Sequence, residues 1–108
     1  MSYRVEITEV AEAEAEQAWF WLIGVSPETA GIWYDGLLEA FEGLADMPHR
    51  FPEVQGFEQS AARVRMLLYG RRANMYRVLF RIIEEPRDDG TDGIVRVLHV
   101  THGARPFP

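Results

Sequence analysis

The sequence predicts one α+β domain in the order β-α-α-β-β-β, an antiparallel sheet with a helical hairpin packed on one face. Three observations predict it. The opening residues alternate apolar and polar with a period of two, and the stretch from Glu9 to Leu44 carries apolar residues at helical spacing instead. The second half is a series of apolar runs separated by turn residues. A length of 108 residues suits a single domain spanning 1–108, and an apolar fraction of 47% supplies its core.

Tyr3, Val5 and Ile7 alternate with Arg4, Glu6 and Thr8, the pattern of a short half-buried strand. Ala11, Ala15, Ala18, Trp19 and Leu22 then form one stripe of a helix that Gly24 ends, with Glu9, Glu12, Glu14 and Glu16 on its solvated side. Ser26-Pro27 starts a second helix, Ser26 as cap and Pro27 where a missing N–H costs nothing. Ala30, Trp33, Leu37, Phe41 and Leu44 are its stripe, and Met47-Pro48 stops it. The tryptophans belong mostly to the core, although Trp21 falls off the stripe and faces a partner or solvent. Three strand-like runs follow, from Arg63 to Tyr69, from Tyr76 to Ile83 and from Ile94 to Val100. Gly70 and the polar cluster from Pro86 to Gly93 separate them, so an antiparallel meander is expected.

Composition excludes several classes of function. Without cysteine there is no disulfide framework, thiolate metal site or cysteine nucleophile, which fits a reducing cytoplasm. His49 and His99 have no partner at metal-ligand spacing, so neither a metal nor another cofactor is expected. The N-terminus has no apolar signal core, and no stretch approaches the roughly 20 apolar residues of a membrane span, so a soluble, cytoplasmic protein without a membrane partner is expected.

The net charge of −6 hides an asymmetry. Residues 1–60 hold Arg4 and Arg50 against twelve acids, and residues 61–108 hold nine arginines against five acids, so the halves carry −10 and +4. Every basic residue is Arg, whose planar fork meets phosphate or carboxylate at two points, although a GC-rich genome produces the same bias.

Alternation assigns the faces. Val64, Met66 and Leu68 are expected beneath the helices on the second strand, and Tyr76, Val78, Phe80 and Ile82 on the third. Arg63, Arg65, Arg77 and Arg81, with Leu67 and Leu79, then share the far face. That face is either a solvated surface with local ion pairs or a docking surface for an anionic partner. Arg71 and Arg72, in the turn before the third strand, are either solvent-exposed or an extension of that surface.

Tyr76-Arg77-Val78-Leu79-Phe80-Arg81-Ile82 is similar to the "Tyr-Arg-Val-x-(Tyr/Phe)-x-(Ile/Val)" strand of the RelE/ParE (plasmid stabilisation) superfamily of toxins from bacterial type II toxin–antitoxin pairs. The run from Val97 through His102-Gly103-Ala104-Arg105 resembles their last strand with its "Gly-x-Arg" ending. Arg65 with Leu67-Leu68 resembles the basic strand that precedes them. The resemblance spans nearly the whole chain and implies a toxin neutralised by a cognate antitoxin. It implies two alternative chemistries. ParE-like members inhibit DNA gyrase by protein binding. RelE-like members are ribosome-dependent, metal-independent mRNA endoribonucleases (mRNA interferases), and in that reading Arg65, Arg77 and Arg105 stabilise phosphoryl charge while His102 serves as general acid or base. A non-toxic scaffold that only binds its antitoxin is a third reading. Nuclease members continue into a tail with a catalytic Tyr and are strongly basic, whereas this chain ends in Pro106-Phe107-Pro108 and is acidic. The ParE-like reading is therefore preferred.

Overall fold

Thr8 both ends the first strand, β1 (Arg4–Ile7), and caps the first helix, α1 (Glu9–Val25). Its hydroxyl accepts the Ala11 N–H at 3.2 Å and donates to the Leu98 carbonyl at 3.3 Å. Ser26 performs a similar double task at the next junction. Its N–H closes α1 on the Leu22 carbonyl at 2.8 Å, and its hydroxyl accepts the Thr29 N–H at 3.3 Å to open α2 (Pro27–Gly43). A junction of one residue forces the helices into an antiparallel hairpin. A 3-10 turn (Pro48–Arg50) leads onward to β2 (Arg65–Tyr69), β3 (Tyr76–Glu84) and β4 (Gly93–His102). This computed structural model describes residues 2–55, 63–71 and 74–103.

The strand order is β1-β4-β3-β2. The last three strands form the expected antiparallel meander, and β1 joins β4 in parallel register with Arg4 opposite Ile94 and Ile7 opposite Val97. The sheet is therefore mixed, and the connection from its first strand to its neighbour runs through every other element. Where β1 stops, α1 takes over the exposed edge of β4: the Glu14 carboxylate accepts the Val100 N–H at 3.0 Å and lies 3.2 Å from His99 Nδ1. Glu14 is thus a sheet partner and not, as its spacing with Glu12 and Glu16 predicts, part of a solvated helix face.

One face of the sheet meets the hairpin. Tyr3, Tyr76, Val78, Phe80, Val95, Val97 and Val100 pack against Ala11, Ala15, Leu37, Phe41 and Leu44. Val78 and Phe80 are fully buried, each contributing about 1.5–3 kcal/mol by area transferred from water. Val97 and Val100 share this face although they are three apart, because the β3–β4 register shifts by one residue at Leu79/Phe80. Beside the core, the Tyr3 hydroxyl donates to the Glu84 carboxylate at 2.9 Å, and His49 Nε2 sits 2.8 Å from the same group. Burial, then the Glu84 hydrogen bond and charge, push the Tyr3 phenol up to about 12.

The pleat of β2 is the reverse of the sequence expectation. Leu67 and Tyr69 pack on the core, opposite Val78 and Tyr76, while Met66 and Leu68 stand on the far face opposite Leu79 and Arg77. Tyr69 explains the choice: its hydroxyl donates to the Trp33 carbonyl at 2.6 Å, in the space above Gly36 where a Cβ would strike the phenol oxygen. A hydrogen bond and an aromatic contact with Trp33 therefore anchor the edge strand to α2.

Candidate functional site

The face of the sheet turned away from the hairpin is built by register. Arg77 of β3 stands between Leu68 of β2 and Thr101 of β4, and Leu79 stands between Met66 and His99. Past the register shift, Arg81 lies opposite Arg96, which in turn lies opposite Glu6 of β1. Two guanidinium groups side by side across adjacent strands repel. Arg96 is offset by the Glu6 carboxylate at 3.2 Å. Arg81 makes no ion pair among the described residues, and its Nε is buried without a hydrogen-bond partner there. Arg77 donates through Nη2 to the His102 carbonyl at 3.3 Å, which fixes the guanidinium at the end of β4. Beside it, Leu68 is 54% exposed. The result is a cationic surface with an apolar margin, and both described helices lie on the opposite side of the sheet.

The residues predicted for the site divide between the two faces. Arg77 and Arg81 stand on the open face as expected. Arg65 does not: it lies opposite Phe80, on the hairpin side. Its guanidinium is committed inward, donating to the Phe51 carbonyl at 2.7 Å and the His49 carbonyl at 3.0 Å. Glu53 at 3.4 Å completes its surroundings, and the side chain is 18% exposed. A long arginine can rise along the edge of an apolar face and discharge its polar end into loop carbonyls, which is why alternation alone misassigned it. Arg63 precedes β2 and pairs only loosely with Glu53 at 3.4 Å, in solvent. The His102 ring is also on the hairpin side, edge-on to Tyr76 at 5.2 Å in an aromatic cluster with Trp33. Its backbone oxygen accepts from Arg77. Arg71 is exposed in the turn after β2, while Arg72 and Arg105 lie outside the described residues.

Sequence reasoning passed over Arg96 and Glu6. The signal for Arg96 was available, because a β3–β4 hairpin centred on Asp88-Asp89 puts residues 81 and 96 opposite each other. Glu6 needed the parallel pairing of β1. Among the described residues, no group of His, Asp and Glu is arranged to hold a metal ion, and no helix is long and apolar enough to cross a membrane.

A mixed four-stranded sheet with a helical hairpin on one side, and half-buried arginines around the fully buried Leu79 on the other, makes this a small α+β domain. Its relatives are known at the level of the family: residues 5–107 match the family of the ParE toxin of the type II toxin–antitoxin system parDE, and the chain belongs to that family. It is a toxin of such a pair, and its family implies an antitoxin partner. No curated protein matches the chain.

Proposed function

We propose that this toxin acts by protein binding in the cytoplasm, with DNA gyrase as its target and plasmid stabilisation as its setting, and that the antitoxin neutralises it by covering the arginine face. The observation that carries the reading is Arg81, which has no ion pair among the described residues, beside Arg96 on the side of the sheet away from the hairpin. An acidic antitoxin segment lying across β3 and β4 would give Arg81 the carboxylate it lacks and bury Leu68 against an apolar residue. A ribosome-dependent nuclease is the second reading. It needs Arg65 and Arg77 on one phosphate, and their positions on opposite faces of the sheet favour binding over cleavage.

Induction of the chain in bacteria without its antitoxin tests this. Growth arrest with broken DNA and intact mRNA supports gyrase inhibition. Arrest with cleaved mRNA, lost in Arg77→Ala, refutes it in favour of the nuclease, and no arrest leaves the scaffold reading. For the antitoxin, Arg81→Glu should weaken the complex about a hundredfold or more, because it places a carboxylate against a carboxylate.

A further inference from the structure

The hairpin carries a second surface that the arginine face does not explain. Residues 9–43 contain the acids Glu9, Glu12, Glu14, Glu16, Glu28, Asp35, Glu39 and Glu42 and no basic residue. Large apolar side chains nevertheless point outward there, with Phe20 75% exposed, Ile32 70% and Trp21 61%. Core packing accounts for none of them.

Phe20 and two of the acids, Glu16 and Asp35, meet at one place. Trp19 and Phe20 of α1 and Gly31 and Tyr34 of α2 line an open groove of about 470 Å³, with Glu16 and Asp35 as its lips. Trp19 stands edge-on to Tyr34 at 6.2 Å, so one wall is a paired aromatic surface. Gly31 creates the space, since a Cβ there would meet nothing within 4 Å. A helix position where almost every residue except proline would be more favourable is left bare, and the groove is the result.

The charge of the lips decides what fits. A second hairpin would bring carboxylates against carboxylates, and a nucleic acid would bring phosphates. An apolar side chain flanked by Lys or Arg satisfies both the groove and its rim. We propose that this groove docks a basic amphipathic segment of a partner protein, an apolar residue entering above Gly31 while cationic residues meet Glu16 and Asp35. The hairpin lies on the opposite side of the sheet from Arg77 and Arg81, so this occupant and one on the arginine face bind without competing. The inference does not depend on the gyrase reading.

The test titrates the full chain with an amphipathic leucine–lysine helical peptide and with its leucine–glutamate counterpart, following tryptophan fluorescence and calorimetry. Gly31→Leu fills the groove and replaces glycine with a good helix former, so its circular dichroism should match the parent and its urea midpoint should equal or exceed it. The lysine peptide should bind at least about tenfold tighter than the glutamate peptide, and Gly31→Leu should weaken it about tenfold, the loss expected when one apolar anchor is excluded. Glu16→Lys with Asp35→Lys should reverse the preference. Equal affinity for both peptides, or an unchanged affinity in Gly31→Leu, overturns the proposal. So does self-association in sedimentation that Gly31→Leu abolishes, because the groove would then belong to a second copy.

Discussion

Arg65→Ala separates a structural arginine from a functional one. The guanidinium makes a 2.7 Å charge-assisted bond to the half-buried Phe51 carbonyl, worth about 1.5–3 kcal/mol because the acceptor is left without a partner when the donor goes. The bond to the His49 carbonyl is in solvent and longer, at 3.0 Å, and adds roughly 0.5–1 kcal/mol. The Glu53 contact at 3.4 Å is exposed on the carboxylate side and adds little. The expected loss is therefore about 2–4 kcal/mol, which for a domain of this size lowers the urea midpoint by roughly 2 M. Arg65→Lys should recover part of it, since Nη1 alone serves both carbonyls and an ammonium has donors for both, while the Nη2 contact with Glu53 is lost. Urea unfolding followed by circular dichroism measures both variants, and growth arrest should fall only as far as the amount of folded toxin falls. An Arg65→Ala protein with the parent's midpoint and no growth arrest would refute the argument and return Arg65 to the partner surface.

Three further outcomes are expected. Gly36→Ala should destabilise the fold by about 1–3 kcal/mol despite the better helix propensity of alanine, because the new methyl displaces the Tyr69 hydroxyl from the Trp33 carbonyl; thermal unfolding checks the sign. Phe80→Ala removes a fully buried ring at the centre of the sheet and should cost about 3–5 kcal/mol, enough to leave little native protein by near-ultraviolet dichroism. Tyr3 titrates at about 12 when folded and at 10.0 when unfolded, so its contribution is fully present below pH 10 and is lost as pH rises towards 12. Urea midpoints measured from pH 8 upward should decline more steeply in the parent than in Tyr3→Phe.

The element order and the start of α2 were legible because each rests on local chemistry: the cap at Ser26, the proline at Pro27, the turn residues between strands. The helix ends were not, since α1 runs on through Gly24 to Val25 and α2 stops at Gly43, short of Met47-Pro48. The core face of β3 was legible, since Tyr76, Val78, Phe80 and Ile82 share one parity and both arginines fall on the other. β2 was not. Arg65-Met66-Leu67-Leu68-Tyr69 offers apolar side chains to both faces, and only the Tyr69–Trp33 hydrogen bond and the loop carbonyls around Arg65 decide between them. Both are tertiary contacts that no alternation rule contains. The register shift in β4 escaped for a similar reason, because Ile94 to Val100 reads as one uninterrupted strand with no mark at the extra residue, Leu98. The candidate site was therefore half visible: Arg77 and Arg81 from their strand, but not the Arg96 and Glu6 that give Arg81 its electrostatic setting.

The first strand's sole neighbour in the sheet is the last, and this bears on how the toxin comes into being. During synthesis β1 leaves the ribosome with nothing to pair with until the chain has been read through Val97, so Tyr3 and Val5 wait uncovered beside an unfinished hairpin. A product truncated before β4 lacks the strand that both β1 and β3 lean on, and would be left to proteolysis. The sheet is thus completed only once β4 has been made, as a single late step.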